Sequence, residues 1–126
     1  MSAGQALIAA AAEALRTVPG LSGVHEAMPV QAAPPYATLE AGLEADWGHK
    51  SGGGRELRLT VTLRDSGERP ARLRALAAAA QAALAGLAAV EGWQLVNLAF
   101  VRGLTVAEGA GKWLAVLDYR ARLLET

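Results

Sequence analysis

The chain contains no cysteine, so neither a disulfide framework nor a thiolate metal site can be built from it. Aromatic residues are scarce as well, 5% of 126 positions. The core must therefore be thin and made of leucine and valine, with alanine letting elements approach closely. A small domain with a thin core is marginal alone, and a partner subunit is a common remedy. Net charge is missing too: 12 basic residues balance 12 acidic ones. A protein that works by neutralising phosphates carries a basic excess, so nucleic acid is disfavoured as the main ligand. No long hydrophobic run is present. The longest, Ala6–Ala12, falls far short of the ~20 residues that span a bilayer. The first cation is Arg16, so no basic segment precedes that run and no targeting segment is expected. What the chain does have is 52% hydrophobic residues and a mean hydropathy of +0.22, which excludes disorder. The expectation is one cytoplasmic domain over residues 1–126.

Periodicity supplies the elements. From Ala3 to Val18, residues Leu7, Ile8, Ala11, Ala14, Leu15 and Val18 form one helical stripe, and Pro19-Gly20 ends it. Val24 starts a short edge strand, and Pro29–Pro35 is an extended connector with three prolines. Tyr36–Leu43 reads as a strand, Glu44–Gly54 as a flexible loop, and Arg55–Arg64 as the clearest strand. There Leu57, Leu59, Val61 and Leu63 alternate with Arg58, Thr60, Thr62 and Arg64, as a sheet with one wet face requires. These two strands predict a long hairpin with the glycine-rich loop at its tip. Asp65-Ser66-Gly67 breaks the strand and Pro70 opens a second helix bearing Leu73, Leu76, Ala77, Ala80, Leu84 and Leu87. Strands over Trp93–Arg102 and Lys112–Leu123, joined by a turn at Glu108–Gly111, complete the pattern. The fold class is α+β: a two-layer sandwich with an antiparallel or mixed sheet of about four strands and two helices on one face.

Catalytic chemistry finds little support. The glycines before Arg55 run into a strand, with Lys50-Ser51 ahead of them. A phosphate loop needs the opposite order, at a strand-to-helix turn. His25 and His49 lack the spacing of a zinc site, and no metal or cofactor is expected. Asp46, His49 and Ser51 are the residue types of a hydrolase triad, but a flexible loop is a poor platform for one. Glu40, Glu44 and Asp46 are accounted for by salt bridges. The chain is read as a non-enzyme.

Trp47 is more informative. An indole in a polar, glycine-rich loop either folds back on its own sheet or packs on a neighbouring subunit. Trp93 and Trp113 open strands and belong at the core edge. The outward sheet face carries Arg58, Thr60, Thr62, Asp118, Arg120 and Arg122 and meets solvent or a partner. The candidate contact residues are thus Glu44, Asp46, Trp47, His49, Lys50 and Arg55 around the hairpin tip, with Arg58, Arg64, Arg120 and Arg122 on the sheet face.

In order and spacing these residues resemble a known family. Pro35-Tyr36 opens a strand, Asp46-Trp47 with Lys50 follows, and a glycine-rich turn leads to Arg55-Glu56 and an Ala/Leu helix. Gly92, Leu95-Val96, Phe100-Val101-Arg102, Gly111-Lys112-Trp113 and Tyr119-Arg120-Ala121 close the series. From about Leu7 to Leu123 the chain is similar to the tail-completion, or tail-terminator, proteins of long-tailed bacteriophages, prophages and gene transfer agents. It departs from them at Leu63-Arg64, where relatives often carry an aromatic. The resemblance implies an α/β sandwich without catalytic residues. It also implies a ring, usually hexameric, that caps the tail tube and joins it to the head–neck connector. The partners would be copies of itself, the tail-tube protein and the connector, with no membrane and no specific nucleic-acid recognition, although DNA passes through the opening. The protein would be cytoplasmic during assembly and then part of the particle. The other reading of the residues is a small ligand-binding or regulatory α+β module acting as a dimer.

Overall fold

The computed structural model describes residues 1–50 and 52–126. Two helices, α1 (Ala3–Arg16) and α2 (Ala71–Ala85), accompany six strands. The strands are β1 (Gly23–His25), β2 (Tyr36–Asp46), β3 (Gly54–Ser66), β4 (Ala89–Val90), β5 (Trp93–Gly109) and β6 (Lys112–Glu125). They form one mixed sheet in the order β1-β2-β3-β6-β5-β4, with β1 parallel to β2 and the other pairs antiparallel.

The four long strands match the expected ones, and two short edge strands bring the sheet to six. Val24 sits in β1 as expected. β4 spans two residues, too few to leave a periodic signal. Two strands are longer than their sequence suggests. β2 continues to Asp46, because Arg55 opposite it on β3 draws Glu44 and Asp46 into register. β5 runs to Gly109 rather than Arg102, since Leu104, Thr105 and Val106 find continuous partners on β6. The Asp65-Ser66 pair does not break β3, which ends at Ser66.

Both helices cover one sheet face. Ser2 and Gln5 close a capping box at the start of α1: Ser2 Oγ accepts from Gln5 N at 3.2 Å and Gln5 Oε1 accepts from Ser2 N at 3.0 Å. Ala3, Ala6, Leu7, Ala11, Ala12 and Leu15 of α1 are buried, while Glu13 and Arg16 stay outside. Leu73, Leu76, Ala77, Ala80 and Leu84 do the same for α2. Below them lie Leu57, Leu59, Val61 and Leu63 of β3 with Leu117, Tyr119, Ala121 and Leu123 of β6, all buried. The largest fully buried side chains are leucines and one valine, as the shortage of aromatics implies. Trp93 and Trp113 pack half-buried at the rim of this core. Their indole N–H groups donate to Met1 O at 3.4 Å and Gly67 O at 3.0 Å.

One buried acid ties the layers together. Asp65, 5% exposed, accepts from Arg72 Nε at 2.8 Å and from Arg72 Nη2 at 2.5 Å, which fastens the first turn of α2 to the end of β3. The Arg72 hydrogen bond holds the Asp65 carboxyl below its ordinary pKa, against the opposing pull of burial.

Candidate functional site

At the tip of the β2–β3 hairpin the described residues 47–50 and 52–53 are held by backbone bonds. Trp47 N donates to Gly54 O at 3.0 Å, and His49 and Gly52 exchange backbone bonds at 2.9 and 3.1 Å. Gly54 is required by close approach: a Cβ there would lie 2.6 Å from Trp47 O and 3.0 Å from Leu123 O. Arg55 lies 3.8 Å from a Glu44 carboxylate oxygen and 3.5 Å from one of Asp46. Asp46 also accepts from Gly48 N at 3.3 Å. His49 and Lys50 are exposed at the turn. Ser51 lies outside the described residues, so the triad and phosphate-loop readings that include it do too.

Trp47 is half-buried on its own sheet. The Arg122 guanidinium lies 5.3 Å from the indole centroid, within cation–π range. Arg122 Nε donates to Glu56 Oε1 at 3.2 Å, and Arg120 Nε lies 3.6 Å from the same oxygen. The tip therefore runs directly into the outer sheet face through Trp47, Arg122 and Glu56.

On that face β3 and β6 stand side by side, with Arg58 opposite Arg120 and Thr60 opposite Asp118. Asp118 accepts from Thr60 Oγ1 at 2.9 Å and pairs with Arg102 Nε of β5 at 2.9 Å. The Arg102 hydrogen bond keeps the Asp118 carboxyl below its ordinary pKa, burial opposes it, and Thr60 and the Arg58 charge assist. Arg64 sits at the far end of β3, where it pairs with Glu108 at 3.4 Å. All the named candidates except Arg64 thus gather at the tip and the adjoining sheet face. Ion pairs this exposed contribute about 0–1 kcal/mol each. Their effect on stability is accordingly small.

Sequence periodicity missed two features. The first is Arg102 as the partner of Asp118. The second is an apolar strip on β5, where Val96, Phe100, Val101, Leu104 and Val106 are all exposed. The available signal was apolar residues at both odd and even positions of one strand. β-bulges at Val96, Val101 and Glu108 shift the parity of β5 against β6 three times.

A depression of about 730 Å³ lies over α1 and is lined by alanines, Val90, Trp93, Glu13, Arg16, Glu26 and Glu91. That lining offers neither hydroxyl, thiol nor imidazole for group transfer. Among the described residues no three His, Cys, Asp or Glu side chains gather in a metal-binding cluster. No described helix is long and apolar enough to cross a membrane.

The fold is a layered α+β sheet with charged and apolar surfaces exposed. Residues 5–124 match the family described as tail completion protein gp17, and the chain belongs to that family. A solved chain from the virion of a native gene transfer agent particle shares its fold, with a TM-score of 0.73 and 26% identity over 98% of this chain and 99% of that one. No curated protein matches the chain. The protein is a structural tail protein of the phage and gene-transfer-agent kind.

Proposed function

We propose that the protein assembles with copies of itself into a ring, hexameric as the family resemblance implies, which caps the tail tube and joins it to the head–neck connector. The observation that carries this reading is the whole-length likeness to a component of a gene transfer agent virion. The assembly is non-enzymatic. Its subunits are made in the cytoplasm and end in the particle, with DNA passing through the opening.

A ring requires heterologous contacts, in which a patch on one side of a subunit meets a different patch on the next. Glu44, Asp46, Trp47, His49, Lys50 and Arg55 at the tip, with Arg58, Arg64, Arg120 and Arg122, supply charge of both signs for such contacts, with cations in excess among these residues although the whole chain is balanced. The test is light scattering coupled to size exclusion, followed by binding to purified tail tubes. A ring-sized species, or a concentration-dependent oligomer that binds tubes, is expected. A strict monomer that leaves tail tubes unbound overturns the proposal.

A further inference from the structure

Two uncovered elements lie at opposite sides of the sheet. On one side β4 pairs with only Trp93 and Gln94, so the outer edge of β5 from Leu95 to Gly109 has no partner strand among the described residues. A free edge presents a row of backbone N–H and C=O groups that an extended chain can satisfy. The bulges at Val96, Val101 and Glu108 interrupt this edge, and its longest regular stretch is Arg102–Ala107. Beside that stretch a groove of about 380 Å³ separates β5 from α2, with Arg74, Ala77, Phe100, Gly103, Leu104 and Thr105 in its lining. Leu104 is 57% exposed, a high value for a leucine in a strand.

On the other side, residues 26–35 join β1 to β2 as an arm. Pro29, Pro34 and Pro35 fix φ at three of its positions, and its backbone bends at Glu26-Ala27, Val30-Gln31 and Pro34-Pro35 without forming a helix or strand. Among the described residues its backbone from Met28 to Ala32 makes no hydrogen bond. Met28 is exposed and Val30 fully so. Two residues apart, they would share one side of the chain once it is drawn out along a strand edge.

We infer that the arm of one copy lies along the β5 edge of the next, with Met28 and Val30 seated in the groove beside Phe100 and Leu104. An edge strand needs an occupant that can extend, and the arm has unused backbone groups and no helix or strand to give up. Charge fits as well: the groove lining carries Arg74 and no carboxylate, while the arm carries Glu26 and no cation. Because the two elements sit at opposite edges of one sheet, the contact is head-to-tail. This inference rests on the ring reading and identifies the surfaces that close it.

The native chain has no cysteine, so single thiols report the contact cleanly. Val30→Cys and Leu104→Cys are purified separately, mixed, allowed to assemble and oxidised, with Glu68→Cys replacing Leu104→Cys as control. A disulfide-linked dimer from the first mixture, well above the control and above either variant alone, is expected. Assembly by light scattering without that cross-link overturns the arm contact and leaves the ring intact. Leu104→Cys linking mainly to itself also overturns it, in favour of a symmetric edge-to-edge dimer. Absence of any oligomer overturns the ring reading and this inference together. In parallel, Val30→Asp should leave the melting temperature unchanged while raising the concentration for half-assembly roughly tenfold or more, because a carboxylate would enter an apolar groove. Unchanged assembly overturns the contact.

Discussion

Replacing Trp47 by alanine separates the two roles open to that side chain, since packing on its own sheet and packing on a neighbour leave different traces. The indole is half-buried and stacks on Arg122 at 5.3 Å. A tryptophan in this setting removes about 100 Å² or somewhat more from water, worth about 2–3 kcal/mol at 25 cal/mol per Å². A compact unfolded chain lowers that to about 2 kcal/mol. The cation–π contact adds about 0.5–1 kcal/mol. Trp47→Ala should therefore cost about 2.5–3 kcal/mol, or about 10 °C in melting temperature for a domain of this size. The far-UV spectrum at room temperature should be unchanged. A double-mutant cycle with Arg122→Gln isolates the stacking, with an expected coupling of about 0.5–1 kcal/mol. Thermal melts followed by circular dichroism, with urea titrations for the cycle, give both numbers. A melting shift below about 3 °C with no coupling would refute the intramolecular packing and release the whole indole for a subunit contact. A variant that fails to fold would make Trp47 a core residue instead.

Acid sensitivity should trace in part to Asp65. Arg72 lowers its pKa in the folded state, so its contribution is fully present above the unfolded value of about 3.9 and fades as pH falls through the lower folded value. The stability gap between the native protein and Asp65→Asn, from denaturant midpoints between pH 6 and pH 2, should shrink in that acid window; a constant gap would contradict the assignment. Gly54→Ala should destabilise the protein by about 1–3 kcal/mol, because the new methyl meets backbone that cannot rotate away. Trp47 fluorescence should shift with it, and an unchanged spectrum and melt would show that the tip has slack.

The helices and β3 were legible because their burial follows simple periods. Leu7, Ala11 and Leu15 share one helix face, and Leu57 to Leu63 alternate with polar residues on a strand wet on one side only. The hairpin was legible from its glycines. β5 was legible as a strand from Trp93 to Arg102, but its length and its facing were not, because three bulges shift which positions face the helices and no period of two survives that. The end of β2 was hidden for another reason: Glu44 and Asp46 look like loop residues until Arg55 is placed across from them. The buried Asp65 reads as a strand breaker until Arg72 arrives from α2. These last two misses depended on a partner across a turn, which no local period reveals. Among the candidate residues, the sequence brought out the charged face and tip, and left Trp47 open between its own sheet and a neighbour. The structure sets it against Arg122 of its own chain.

The bulges of β5 also bear on solubility. A 17-residue strand rich in apolar residues, with an edge that has no partner from Leu95 onward among the described residues, is a hazard for cross-β stacking, in which identical chains add in register without limit. Here each added chain would have to reproduce kinks at Val96, Val101 and Glu108 to keep its hydrogen bonds. The edge can thus accept a short segment but is a poor template for endless growth. A protein that must remain soluble at high concentration until its partners arrive gains from that difference.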